Sequence, residues 1–220
     1  MSIKIKTFVN RPIDENTYVV SDETGEGVII DCGALIPADQ QAIAEYVQRE
    51  GITITQHILT HGHFDHMFGS QWVADTYGCR PKLHPADTDI YEGSVERVSA
   101  FFHKRFEFDV PRIGSFFNER NTLRFGTHAF RVIACPGHTP GGVCLYLEDE
   151  GVLFTGDSLF RSSIGRTDME GGDHQMLVDS LVERVLTLYN RLGGDDPTVT
   201  KVVWTNGVEW IVFTRELLQE

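Results

Sequence analysis

The sequence predicts an α/β protein. Strand and helix patterns alternate along its first third, strand patterns return in the second half, and an amphipathic helix pattern follows them. The chain has 220 residues, 41% of them apolar and 23% charged, which is enough for one sizeable domain with a buried core. Since no low-complexity segment, Pro-rich linker or internal repeat divides the chain, we expect a single domain over residues 1–220.

Four segments of the first third have the short, β-rich character of strands: residues 4–9, 18–21, 27–31 and 52–60. The third of these is an apolar run that ends on Asp31. Residues 37–50 predict a helix, because Pro37 suits a first turn and three apolar residues fall on one face. Residues 65–77 also have helical character, and this segment ends at Gly78.

Three further strands are predicted in the second half, at residues 127–134, 143–148 and 152–155. Residues 173–190 predict an amphipathic helix, which Gly193-Gly194 ends. Its apolar stripe comprises Leu177, Leu181, Val185 and Leu188. A strand at residues 201–204 and a short helix at 214–220 complete the prediction.

Residues 85–121 differ from the rest in carrying six phenylalanines among charged residues: Phe101, Phe102, Phe106, Phe108, Phe116 and Phe117. One interpretation is local core beneath a long connection, since aromatic residues are usually buried. The other is an aromatic wall or lid over a substrate pocket, or a contact between subunits. The sequence leaves both interpretations open.

The chain is acidic, with 32 Asp and Glu against 19 Lys and Arg and a net charge of −13. Such a charge repels nucleic acid and anionic membranes, so we expect neither as a partner. The four cysteines, Cys32, Cys79, Cys135 and Cys144, form no Cys-x-x-Cys pair, and we find no signal-like or membrane-length apolar segment. We therefore expect a cytoplasmic protein with reduced thiols. The oligomeric state is left open.

The densest group of chemically active side chains is His61-Gly62-His63-Phe64-Asp65-His66. Imidazole nitrogens and carboxylate oxygens are the ligands that suit zinc or iron. His61 and His63 lie two residues apart after a predicted strand, so both point to one side of an extended chain. Asp65 and His66 follow where the chain turns, and can reach a neighbouring point. A metal ion would also remove the repulsion between such close histidines.

Two further candidate ligands lie at the ends of predicted strands. His138 is in the turn Cys135-Pro136-Gly137-His138-Thr139-Pro140-Gly141-Gly142, and Asp157 is in Phe154-Thr155-Gly156-Asp157-Ser158. Each alone would be an ordinary turn residue. Together with the histidine cluster, they become predicted metal ligands.

The runs Thr60-His61-Gly62-His63-Phe64-Asp65-His66, Pro136-Gly137-His138-Thr139-Pro140-Gly141 and Thr155-Gly156-Asp157-Ser158-Leu159-Phe160 resemble the metallo-β-lactamase superfamily in order and spacing. Gly165-Arg166-Thr167-Asp168 with Gly171-Gly172-Asp173, and the earlier Glu15-Asn16-Thr17-Tyr18, are similar to its glyoxalase II-like (hydroxyacylglutathione hydrolase-like) branch of thioester hydrolases. The resemblance covers residues 1 to about 195. It implies a four-layer αββα sandwich, the metallo-β-lactamase fold, with the site along one edge.

The resemblance further implies a site for one or two zinc ions, with iron as an alternative. The first ion would be held by His61, His63 and His138, and the second by Asp65, His66 and Asp157, with Asp157 bridging. The implied reaction is hydrolysis of a small thioester or ester by a metal-activated water. Asp65 is the predicted catalytic residue, which would orient this water or take its proton. Arg166 and Asp168 are expected to form an internal ion pair that supports the loop after Asp157.

The family usually supplies one more histidine near the C-terminus, where this chain reads Val202-Val203-Trp204-Thr205-Asn206-Gly207-Val208. Three explanations stand: a second metal that is bound weakly or not at all, replacement by Asn206 or a water, or an altered tail from about residue 198. His174 is the last histidine of the chain, and we interpret it as a solvent-facing residue at a helix start.

Two other functions remain open. One is a mononuclear iron persulfide dioxygenase of the same superfamily, and the other is a metal-binding domain with impaired or no catalysis, which the missing histidine motivates. A β-lactamase is disfavoured, because such enzymes are normally exported. A glutathione thioester lacks a recognition element here, since the chain is short for the added C-terminal helical domain of a full glyoxalase II.

Overall fold

The protein is described from a computed structural model that covers residues 3–160 and 163–188, together with the backbone of residues 201–203. A first sheet has six strands in chain order: β1 (Lys4–Asn10), β2 (Glu15–Ser21), β3 (Glu26–Ile30), β4 (Thr53–Ile58), β5 (Pro81–Leu83) and β6 (Ser115–Phe116). β1 to β3 pair antiparallel, and β3 to β6 pair parallel.

The second sheet and a small two-stranded ribbon are built from the later strands. These are β7 (Thr122–Phe125), β8 (His128–Ala134), β9 (Val143–Leu147), β10 (Val152–Phe154), the ribbon strands β11 (Leu159–Phe160) and β12 (Ser163–Ile164), and β13 (Lys201–Val203). The second sheet has the order β13-β10-β9-β8-β7, and its neighbours are antiparallel except for β10 and β13.

In the described part of the chain, five α-helices accompany the sheets: α1 (Pro37–Arg49), α2 (Ser70–Tyr77), α3 (Thr88–Glu92), α4 (Ser94–Phe101) and α5 (His174–Ser180), which continues as a π-helical segment, Leu181–Leu186. No helix among the described residues has the length and apolar character needed to cross a membrane.

Alternation along the strands explains why the two sheets stack with helices outside them. Tyr18 of β2 and Leu145 of β9 point inward and pack in one core between the sheets. Val19, the next residue of β2, points outward and packs under α1 and α2. Cys144 of β9 likewise points outward and packs under α5. The result is the predicted αββα sandwich, with an apolar core at each of its three layer boundaries.

The structure confirms most of the predicted elements with shifted ends. β2 begins at Glu15, three residues before the predicted start. The helix predicted over residues 65–77 is wrong in its first part, since a 3₁₀ turn (Phe64–His66) comes first and α2 begins only at Ser70. No strand or helix was predicted between residues 81 and 121, where the structure has β5, β6, α3 and α4.

The predicted strand at 201–204 is confirmed as β13 for residues 201–203. The break at Gly193-Gly194, the replacement ligand Asn206 and the helix at 214–220 lie outside the described residues. A single domain over residues 1–220 stays a prediction.

Candidate metal centre

The predicted ligands meet at one edge of the sandwich, where strands of both sheets end. His61, His63, Asp65 and His66 follow β4 of the first sheet, and His138 and Asp157 follow β8 and β10 of the second. Three groups of possible ligand residues lie here, each with its ligand atoms within 4.8 Å of one another. The first is His61, His63 and His138, the second is His61, His66 and Asp157, and the third is Glu15, Asp31 and His66. The edge therefore combines side chains that are far apart in the sequence.

The first group consists of three buried imidazoles in direct contact. Nδ1 of His63 lies 3.1 Å from Nε2 of His61 and 2.9 Å from Nε2 of His138. All three side chains are buried, with no more than 4% of any of these residues exposed. Three ring nitrogens thus converge on one small, dry volume.

Hydrogen bonds on the far side of the rings indicate which nitrogens carry protons. Nδ1 of His138 lies 2.7 Å from the Arg166 carbonyl oxygen, to which it can only donate. Nδ1 of His61 lies 3.1 Å from Oγ1 of Thr60. That hydroxyl donates its own hydrogen to Oδ2 of Asp31, at 2.8 Å, and therefore accepts from His61. Nε2 of His61 and of His138 are then unprotonated in the neutral rings.

Lone pairs that face one another at about 3 Å repel unless a proton or a metal cation lies between them, and a single proton on Nδ1 of His63 could serve only one of these two contacts at a time. In this respect the three histidines fit a divalent metal ion of the kind that imidazole prefers, zinc or iron. The donor set does not choose between these two metals.

In the second group, the carboxylate of Asp157 lies between His66 and His138. Nε2 of His66 lies 3.2 Å from Oδ1 of Asp157, and the other oxygen of Asp157 lies 3.6 Å from Nε2 of His138. This position suits the bridging role that was predicted for Asp157. Oδ2 of Asp65 lies farther from Nε2 of His66, at 3.8 Å, and Asp65 belongs to none of the groups. The assignment of Asp65 to a second metal ion stays a prediction.

The electrostatics of this edge favour a bound positive charge. Burial alone would lower the pKa of His66, but the carboxylates of Asp31, Asp157 and Asp65 raise it well above its usual value. Burial raises the pKa of Asp157, yet the charge and hydrogen bond of His66 outweigh it and hold that pKa at about 2. In contrast, burial lowers the pKa of His63 to about 3, so this ring stays neutral and available as a ligand.

Asp31 is a site residue to which the sequence analysis gave no role. It is fully buried directly after β3, and it accepts hydrogen bonds from Thr60 N, Thr60 Oγ1 and His66 Nδ1 at 2.7–2.9 Å. Its φ of 53° lies in the left-handed region, which costs energy for a residue other than glycine. The acid at the end of an apolar strand was the available signal, but its partners lie about 30 residues downstream.

The predicted pair in the loop after Asp157 is present. Arg166 binds both carboxylate oxygens of Asp168, at 2.8 and 2.9 Å, and both side chains are more than half exposed. Arg97 of α4 binds Glu170 of the same loop at 2.9 Å, so the loop is tied to the opposite side of the site. His174 is exposed at the first position of α5, in agreement with its interpretation as a surface residue.

Most of the phenylalanine-rich segment is local core. Phe102, Phe106 and Phe108 are half-buried against Phe64 and Phe68, which flank the ligand residues of the first sheet. Phe117 is buried between the two sheets. Only Phe101 and Phe116 of the six are exposed, and the Phe101 ring lies 5.6 Å from that of Phe64. The interpretation as an aromatic wall therefore remains open for Phe101, the exposed ring that contacts Phe64.

A fourth group of possible ligand atoms, from Asp22, Glu23 and His128, lies at the other end of the strands. The Asp22 carboxylate already accepts hydrogen bonds from the backbone and hydroxyl groups of both Thr24 and Thr127. It thereby joins the β2–β3 turn to the β7–β8 turn. We interpret Asp22 as a structural clamp between the sheets.

The chain is similar in sequence to several known proteins. An uncharacterised protein of Mycobacterium leprae is 36% identical over 190 residues, covering 84% of this chain and 83% of that protein. The hydroxyacylglutathione hydrolase GloC of Haemophilus influenzae is 28% identical, covering 79% and 80% of the two chains. The mitochondrial persulfide dioxygenase ETHE1 of Mus musculus is 30% identical, covering 78% of this chain and 59% of its own.

Solved structures agree on the fold. The B3 metallo-beta-lactamase BLEG-1 superposes with a TM-score of 0.76 at 34% identity, covering 84% of this chain and 87% of its own. The protein TTHA1623, in a di-iron-bound form, superposes with a TM-score of 0.76 at 31% identity and covers 92% of both chains. Residues 10–200 also match the sequence profile of the metallo-beta-lactamase superfamily. On this match, the chain belongs to the metallo-beta-lactamase superfamily, whose members are mostly metal-dependent hydrolases.

Proposed function

We propose that this protein is a metal-dependent hydrolase of a small thioester or ester, of the glyoxalase II-like kind, with zinc as the expected metal. The observation that carries the proposal is the pair of ligand groups that share His61, with the carboxylates of Asp65 and Asp157 on their more open side. Those two side chains are 18% and 20% exposed, whereas the His66 side chain between them is 2% exposed. A substrate can therefore approach from the carboxylate side.

Bound metal ions would supply a water that ionises near neutral pH and a positive charge facing the carbonyl oxygen. His61, His63 and His138 would hold the first ion, and Asp65, His66 and Asp157 would hold the second. Asp65 accepts a hydrogen bond from the attacking water and takes its proton. Asp31 and Thr60 keep the rings of His66 and His61 in the tautomers that leave Nε2 free.

The thioester preference rests on the likeness to GloC and on the motifs after Asp157. Substrates with a small acyl group suit a site that is flanked by Phe64 and the exposed ring of Phe101. S-lactoylglutathione and simple thioesters and esters are the compounds to test first.

Replacement of Asp65 by asparagine tests the catalytic assignment. The neutral amide of asparagine cannot take a proton from water, so we expect Asp65→Asn to keep the first metal ion and to lose about 10²–10⁴-fold in kcat. Turnover of the substrates above, measured beside metal content by elemental analysis, checks the expectation.

Glu170→Gln is a suitable control, because Glu170 is exposed on the loop beyond the site and contributes no ligand. Asp65→Asn with full metal content and full turnover would refute the role of Asp65. Absence of any turnover in metal-replete wild-type protein would instead favour a metal-binding domain without catalysis.

A second candidate function is an iron-dependent persulfide dioxygenase. The group of His61, His66 and Asp157 has two imidazoles and one carboxylate, the ligand set that is typical of non-haem iron oxygenases. The 30% identity with ETHE1 points the same way. Iron in the purified protein together with oxygen consumption on glutathione persulfide would favour this function, whereas thioester cleavage without oxygen uptake would exclude it.

A further inference from the structure

Asp87 lies outside the ligand groups and yet contacts both of the loops that form them. It is fully buried at the junction between a 3₁₀ turn, Pro85–Asp87, and α3. Aspartate at this position commonly caps its own helix. The Asp87 side chain makes no such bond, and its two oxygens point away from α3 towards the metal centre.

Three hydrogen bonds occupy this carboxylate. Oδ2 accepts from the backbone N–H of Gly62, at 2.8 Å, and from the hydroxyl of Thr139, at 2.8 Å. Oδ1 accepts from the backbone N–H of Gly141, at 2.6 Å. Gly62 lies between His61 and His63, and Thr139 follows His138. One side chain therefore bonds to the ligand loop of the first sheet and to that of the second.

Close packing accompanies these bonds. A Cβ atom on Gly62 would lie 2.9 Å from the backbone oxygen of Asp87, and one on Gly141 would lie 2.8 Å from its Cγ. Real Cβ atoms do not approach so closely, so both loops need glycine in order to reach Asp87. Burial raises the pKa of Asp87, and the bonds from Thr139, Gly62 and Gly141 act in the opposite direction.

We propose that Asp87 is a positioning residue of the metal centre, whose carboxylate sets the distance between the His61–His63 loop and the His138 loop. The inference rests on the proposed function only in requiring that the three histidines bind a metal ion. It concerns the geometry of the ligands, whichever substrate the site takes. A carboxylate is needed because an asparagine at this position has one acceptor oxygen and would turn its NH₂ group towards at least one of the three donors.

The test is Co²⁺ titration of the metal-free full-length protein, with wild type, Asp87→Asn and Asp22→Asn compared. Asp22 is the matched control, since it is also a buried aspartate that joins two loops by several hydrogen bonds, but at the other end of the strands. We expect Asp87→Asn to weaken Co²⁺ binding about 10–100-fold and to change the Co²⁺ d–d absorption spectrum. We expect Asp22→Asn to lower the thermal stability of the metal-free protein while leaving Co²⁺ affinity and spectrum as in the wild type.

Wild-type affinity and spectrum in Asp87→Asn would overturn the inference, as would an equal loss in Asp22→Asn. If Asp87→Asn does not fold, Thr139→Val removes a single donor of the same network. It should then shift affinity and spectrum in the same direction by a smaller amount, and no shift would overturn the inference. A wild-type protein that binds no Co²⁺ would refute the proposed function and this inference together, whereas bound Co²⁺ without hydrolysis would refute only the former.

Discussion

Three of the four ligand histidines offer one ring nitrogen to the metal centre because the other nitrogen is already engaged. His138 donates to a backbone carbonyl, His61 to Thr60, and His66 to Asp31. These partners fix both the tautomer and the ring orientation before a metal ion arrives. Asp31 orients two of these ligands, since it binds His66 directly and acts on His61 through the Thr60 hydroxyl.

Asp31→Asn tests this orienting role, because it replaces one acceptor oxygen of the side chain by an NH₂ group. Asparagine tolerates the left-handed φ of 53°, so the backbone is kept. Its NH₂ group must face a donor, because Thr60 N, Thr60 Oγ1 and His66 Nδ1 all donate to this side chain. We expect the metal held by His66 to bind about 10–100-fold more weakly. Metal equivalents per chain, measured at several buffered free Zn²⁺ concentrations, check this, and an unchanged binding curve would contradict it.

At the scale of elements, the segment after His63 illustrates how a metal-binding sequence departs from a helix. The Cys32 N–H donates to the His66 carbonyl oxygen at 2.7 Å, and the Gly69 N–H donates to the Cys32 carbonyl oxygen at 2.8 Å. These bonds attach the ligand segment to the chain that follows β3. In a continuous helix, the His66 carbonyl oxygen would accept a hydrogen bond from the N–H four residues later in the chain. Here it accepts from Cys32 instead, and α2 begins only at Ser70.

The phenylalanine-rich segment supports this ligand segment from outside. Phe68 is 5% exposed and its ring contacts that of Phe108 edge-on, with the centroids 5.1 Å apart. Phe101, at the end of α4, is 45% exposed beside Phe64. Within the segment, Phe108 therefore fits the interpretation as local core, and Phe101 fits the interpretation as an aromatic wall.

We expect Phe68→Ala to lower the free energy of unfolding by about 3–5 kcal/mol, because it leaves a cavity beneath the ligand segment. Phe101→Ala should change it by less than about 0.5 kcal/mol, since almost half of that ring is in solvent. Urea unfolding of the metal-free proteins measures both values. A KM that rises in Phe101→Ala with unchanged stability would assign this ring to the substrate wall, and equal destabilisation by the two variants would contradict the core interpretation of Phe68.

At the scale of the whole molecule, the ligand groups join two sheets that otherwise meet through apolar packing and a few hydrogen bonds, such as those from Thr127 to Asp22. His61 and His63 belong to the first sheet's loops, and His138 belongs to the second's. A metal ion bound between them stabilises the folded chain and has no equivalent site in the unfolded one.

Removal of the metal should therefore lower the thermal stability of the whole sandwich. At a free metal concentration about 1,000 times Kd, the stabilisation is about 4 kcal/mol, or roughly 10 °C in Tm for a chain of this size. Scanning calorimetry before and after chelation, followed by restoration with Zn²⁺, measures the effect. His138→Ala should reduce the shift, and an equal shift in that variant would contradict a metal shared between the sheets.

Much of the molecule is determined locally by the sequence. Short apolar and β-rich runs located β3, β4, β8, β9 and β10 to within a few residues, and the helical stripe located α5. The spacing of His61, His63, His138 and Asp157 identified the superfamily and the edge at which its ligands meet. The strands and helices depend largely on neighbours in the chain, and the meeting of the distant ligands was implied by the resemblance to the superfamily.

Only the tertiary structure decided how that edge is held. The partners of Asp31 lie 29 and 35 residues away, and those of Asp87 lie 25, 52 and 54 residues away. Neither aspartate stands out in a sequence with 32 acidic residues. The physical reason is that a hydrogen bond acts over about 3 Å of space, and which distant residues come that close is set by the stacking of the two sheets.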